Sequence, residues 1–103
     1  MADLHWTEDG RADVDEIYDY IARRDRRPAT ADKVVRGLMA TCQWLAEEFA
    51  TGSVIGTARP DLGENIRLFT HQRWVLVFHP VTNGIEVIRV LDGSRDFSRI
   101  FGD

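Results

Sequence analysis

Near residue 60 the apolar residues of this chain change their period, and that change limits the folds open to it. Before it, Val14, Ile17, Tyr18 and Ile21 recur at helical spacing. Ala31, Val34, Val35, Leu38, Cys42, Leu45 and Phe49 do the same, and Met39 and Ala46 widen their stripe. After it, Ile66 to Phe69, Trp74 to His79 and Ile85 to Leu91 are short runs rich in β-branched and aromatic residues, the composition of strands. Two greasy helix faces need a cover, and the strands that follow can supply one. The fold class read here is α+β. Leu4 to Trp6 forms a short N-terminal strand, and an antiparallel helix hairpin packs on a small antiparallel sheet in the order β-α-α-β-β-β. A short C-terminal helix or tail closes the chain, with Phe97, Ile100 and Phe101 at helical spacing.

The punctuation agrees. Thr7 is a helix N-cap residue, and Glu8 and Asp9 sit in the first turn, where negative charge suits the helix dipole. Asp13, Asp15, Glu16 and Asp19 fall mostly off the apolar stripe and are expected in solvent. Arg23, Arg24, Arg26 and Arg27 end the first helix, Pro28 breaks the pattern or opens the second, and the second runs from about Ala29 to Phe49. Thr51 to Gly63 reads as a loop, His71-Gln72 as a tight connection, and Pro80 to Gly84 as a longer one with an Asn83-Gly84 turn signal.

A chain of 103 residues supports one domain, here taken as 1–103. The net charge of -4 argues against direct DNA binding by this chain alone. Residues 1–50 carry 11 acidic and 7 basic groups, whereas residues 51–103 carry 6 of each. A lone cysteine, Cys42, forms no internal disulfide and sits on the helical stripe as core. The first residues show no basic region followed by an apolar run, and no stretch is long and apolar enough to span a bilayer, so a cytoplasmic protein is expected.

Pairing the strands through the two turns sorts the side chains by face. With Thr70 opposite Arg73 and His79 opposite Ile85, one face holds Ile66, Leu68, Val75, Val77, Ile85 and Val87, and is assigned to the helices. The other holds Arg67, Phe69, Trp74, Leu76, Phe78, Glu86, Ile88 and Val90. It is largely apolar, and an uncovered apolar face marks a docking surface. A one-residue slip exchanges the two.

The order of elements, together with several local patterns, resembles the RelE/ParE toxins. Val14 to Ile21 resembles the family's first helix, and Pro28-Ala29-Thr30-Ala31 the start of its second. Ile66-Arg67-Leu68-Phe69 and Trp74 to Phe78 resemble its strands. Gly84 to Asp96 resembles the last strand and the ending typical of the ParE branch, with Asp92 where that branch usually has histidine. The resemblance implies the toxin half of a type II toxin–antitoxin system, of the kind that serves plasmid stabilization. It also implies a small ParD-like antitoxin bound in a hetero-oligomer over the sheet face. Phe69, Trp74, Leu76, Phe78 and Ile88 are the candidate antitoxin contacts, since aromatic anchors tend to dominate binding energy.

RelE-like relatives cut messenger RNA on the ribosome, whereas ParE-like ones inhibit DNA gyrase without catalysis. RNA cleavage needs a base, an acid and cations converging on one phosphate. In this pairing Arg67 lies on one face and Arg89 and His79 on the other, and the only lysine, Lys33, is in the second helix. A ParE-like inhibitor with no catalytic residue, no cofactor and no metal site is therefore expected. Arg67, Arg89 and Arg95 are the candidate target contacts, and Arg67 could instead pair with Glu86. The alternatives are a metal-independent, ribosome-dependent RNA endonuclease and a degenerate toxin that keeps only antitoxin binding.

Overall fold

The computed structural model describes residues 1–93. Strand β1 (Asp3–Trp6) leads into helix α1 (Glu8–Asp19), which continues through a π-helical turn (Tyr20–Arg24). Helix α2 (Pro28–Ala50) returns antiparallel to it, and β2 (Thr57–Ala58), β3 (Arg67–His71), β4 (Trp74–Val81) and β5 (Gly84–Asp92) follow. The predicted short C-terminal helix lies outside the described residues.

Local chemistry sets these boundaries. The Thr7 hydroxyl accepts the Gly10 N–H at 3.0 Å, which caps α1 with Glu8 and Asp9 in its first turn. At the far end the Asp25 N–H reaches back five residues to the Tyr20 carbonyl, and Arg26 adopts a left-handed φ of 55°. That residue turns the chain so that Pro28 can open α2, where its missing N–H costs nothing.

The sheet has five strands in the order β1-β5-β4-β3-β2. All neighbours are antiparallel except β1 and β5, so the first strand lies parallel to the last described one. Gly84 makes that pairing possible, because a Cβ at this position would sit 1.8 Å from the Asp3 carbonyl oxygen. Two residues of the predicted 51–63 loop, Thr57 and Ala58, pair with Leu68 and Arg67 and form the edge strand β2.

The predicted register is corrected in two places. His71 faces Trp74, so the first hairpin turns on Gln72 and Arg73, with Gln72 at φ 56°. Val81 faces Gly84, so the second turns on Thr82 and Asn83, with Asn83 at φ 66°. The second correction moves β5 by one residue against β4 and sets Phe78 opposite Val87 and Pro80 opposite Ile85. Val77 then faces Arg89, so Ile88 is the extra residue of a bulge.

The faces change with the register. The helices pack on Trp74, Leu76, Phe78, Ile85, Val87 and Val90 together with Val14, Ile17, Ile21, Ala31, Leu38, Cys42, Leu45 and Ala46. Ile85 and Val87 stand where the sequence placed them. Trp74, Leu76 and Phe78, expected on an open face, are 8%, 0% and 0% exposed. Val75 and Val77, expected beneath the helices, lie on the opposite face with Leu68 and Leu91 and do not belong to the helix-side cluster. Burial raises the Cys42 thiol to about 12, which fits its predicted core position.

Candidate functional site

Three separate networks hold the arginines of the sheet, and His79 with Glu86 forms a further contact. The first forms where β5 runs beyond β1. Past Val87 no strand among the described residues lies beside that edge, and α1 takes the place of one. Gly10 permits the approach, since a Cβ there would lie 2.8 Å from the Val87 carbonyl oxygen. The Thr7 hydroxyl donates to the Ile88 carbonyl at 2.7 Å, satisfying the bulge. One turn later Asp13 presents its carboxylate to the strand. One oxygen accepts the Val90 N–H at 2.9 Å and the Arg89 Nε at 2.7 Å, and the other accepts an Arg89 terminal nitrogen at 3.0 Å. Asp13 is 8% exposed, against the expectation that it would be solvated. The hydrogen bond to Asp13 raises the Arg89 pKa above its ordinary value. Burial opposes the shift, and the nearby charges of Asp13, Asp9 and Glu16 add to it.

The second network sits near the β2 edge. Arg67 donates from Nε to the Ile55 carbonyl at 2.9 Å and from a terminal nitrogen to the Gly56 carbonyl at 2.7 Å. This guanidinium fixes the segment leading into β2, and the predicted alternative of a pair with Glu86 does not form. Glu86 pairs with His79 across the strands at 2.8 Å, with both side chains about one-third exposed. The third network is at the β4–β5 end, where Arg73 donates to Asp92 and lies 4.9 Å from the centre of the Trp74 ring.

Two cavities accompany these networks. One, of 540 Å³, lies between α1, the π-helical turn and the ends of β4 and β5, and contains Asp13, Trp74 and Arg89 in its lining. The other, of 440 Å³, is lined by Phe49, Val54, Ile66, Arg67 and Pro80 among others. The structure therefore separates Arg67 from Arg89, one to each cavity, while Arg95 lies outside the described residues. Of the candidate antitoxin contacts, Trp74, Leu76 and Phe78 are in the core. Phe69, also expected on the open face, instead packs half-buried against the helix-side core with its ring 5.6 Å from that of Trp44, which is 43% exposed, and Ile88 is half-buried at the bulge. Sequence reasoning missed Asp13 as a structural group. The signal was its position one residue before Val14 and four before Ile17, beside the stripe. Among the described residues, no group of three or more His, Cys, Asp or Glu side chains is arranged to hold a metal ion. Among the same residues, no helix is long and apolar enough to cross a membrane.

A protein-family model described as the ParE toxin of type II toxin–antitoxin systems matches residues 4–97. A solved chain from the chromosomal ParDE toxin–antitoxin system of P. aeruginosa is similar at 25% identity, with a TM-score of 0.68. The match covers 89% of this chain and 96% of that one. No curated protein matches. The chain belongs to the ParE toxin family of type II toxin–antitoxin systems.

Proposed function

We propose that this chain is a cytoplasmic toxin held inactive by a cognate ParD-like antitoxin, and that it acts on DNA gyrase by binding and without catalysis. The observation that carries this reading is the family match over residues 4–97, joined to the way the sheet spends its cations. Arg67 bonds to backbone carbonyls, Arg89 to Asp13 and Arg73 to Asp92, and His79 pairs with Glu86. These groups point into four different contacts and do not surround one reacting phosphate, as transesterification of RNA would require. Phe69, partly buried against the helix-side core beside the exposed ring of Trp44, and Ile88 are the members of the candidate set that are not fully buried. Of the two candidate target contacts among the described residues, Arg89 is paired with a carboxylate and Arg67 bonds only backbone carbonyls.

The test is DNA supercoiling by purified gyrase with increasing toxin, with and without the protein encoded beside it. Inhibition that the neighbour relieves is the expected result. Unchanged supercoiling at a large excess of toxin, with new cuts in translated messages after induction, would replace the gyrase reading with the nuclease one.

A further inference from the structure

The 540 Å³ cavity between α1, the π-helical turn and the ends of β4 and β5 has a chemistry that selects one kind of guest. Ile17, Ile21 and Trp74 give it apolar walls, and its rim is charged. The rim carboxylates are Asp13, Glu16, Asp25 and Asp92, and the rim cations are Arg73 and Arg89. Both cations are already engaged, Arg89 by Asp13 and Arg73 by Asp92. Glu16 and Asp25 are exposed and have no hydrogen-bond or ion-pair partner among the described residues. The π-helical turn delivers Asp25 to this rim, since its N–H closes the five-residue turn on Tyr20. An anion entering here would meet two neutralised guanidiniums and an excess of carboxylate. A neutral apolar group would find a mouth that stays wet. A long cationic side chain fits both parts, with an apolar stem for the walls and a charged head for Glu16 and Asp25.

We infer that this cavity receives an arginine or lysine side chain from the polypeptide that binds the toxin, with Glu16 and Asp25 as its charge partners. The inference rests on the antitoxin reading above for the identity of that polypeptide, but not for the chemistry of the cavity. It also fits the charge of the protein, because the half of the chain that carries α1 is the acidic half.

The cavity is tested first without any partner. N-acetylarginine methylamide is titrated into the full chain while the indole N–H resonances of Trp6, Trp44 and Trp74 are followed, with the neutral citrulline analogue as control. Arginine should move the Trp74 signal along a saturating curve, leave Trp44 in place, and lose affinity as salt rises. The double variant Glu16→Gln/Asp25→Asn should weaken that binding by roughly three- to tenfold, the scale expected for two exposed ion pairs. Equal shifts with citrulline, or an unchanged affinity in the double variant, would overturn the inference. The second arm measures binding of the neighbour-encoded protein to wild type and to the double variant. Loss of affinity in the variant supports the partner role, and equal affinity overturns it. Failure of wild type to bind the neighbour at all defeats the antitoxin reading, and the arginine titration still decides the chemistry of the cavity.

Discussion

Arg89 and Arg67 stand toward opposite edges of one sheet, and the chain fixes them by different means. Arg89 meets a carboxylate, so its charge is cancelled and the pair ties α1 to β5. Arg67 meets two carbonyl oxygens, so it ties the segment before β2 to β3 while its charge stays whole. The first arrangement is a clamp and contributes little field beyond itself. The second leaves a positive group with no carboxylate against it beside an open cavity, which is where the proposed gyrase reading would seat an acidic surface of the target. Two arginines that look alike in the sequence therefore have different jobs, and the difference lies in what each finds across the fold.

The largest expected effect comes from Asp13→Ala. It removes the acceptor of the Val90 N–H and leaves Arg89 unpaired, at a cost of about 2–4 kcal/mol in urea denaturation, toward the low end because Arg89 reaches water. A loss below about 1 kcal/mol would mean that the clamp is ornamental. Cys42 offers a second readout. With its thiol near 12, it is protonated at pH 8 in the folded protein and should react with iodoacetamide only on opening. Asp13→Ala should speed that reaction on the order of tenfold or more, since each ~1.4 kcal/mol multiplies the open population by ten.

Next is Arg67→Gln, with an expected loss of about 1–2 kcal/mol, because two charge-assisted hydrogen bonds go but the freed carbonyls can reach solvent. If the comparison is right, this variant loses more gyrase inhibition than its stability explains, whereas Arg89→Gln loses inhibition only as far as it unfolds. Equal behaviour of the two would break the distinction.

The smallest effect belongs to the exposed pair Arg59–Asp61. The hydrogen bond from Arg59 holds the Asp61 carboxyl below its ordinary value. A depressed folded-state pKa stabilises above the unfolded value and loses that contribution as pH falls through the folded one. Wild type should thus lose a slight advantage over Asp61→Asn between neutral and acid pH, read as converging urea midpoints.

The elements of the fold were legible because periodicity, caps and Pro28 all spoke for the same boundaries. The faces of the sheet were not, and the reason is narrow. The first hairpin turns one residue later than the predicted His71-Gln72 connection, and the second turns one residue before its Asn83-Gly84 signal, with Gln72 and Asn83 in left-handed backbone. In the second hairpin a shift of a single residue exchanges inside and outside for β4 against β5. Because Trp74 through Phe78 are all large and apolar, their sequence carries no alternation to correct the error. The bulge at Ile88 then restores the original parity further along, which no local pattern announces. Of the candidate site, the place of Arg67 and Arg89 in strands was visible. Their partners were not, because Asp13 and the carbonyls of Ile55 and Gly56 come together only in three dimensions.

The parallel pairing of β1 with β5 also governs how the toxin comes into being. Thr7 at the end of β1 bonds to carbonyls eighty and eighty-one residues downstream. A ribosome will have made both helices and most of the sheet before that first strand has anything to join, and such distant closure is the slow part of folding. Until then β1 can pack on the helices but has no strand to pair with. The latch between the two ends of the described chain therefore cannot form until β5 has been made.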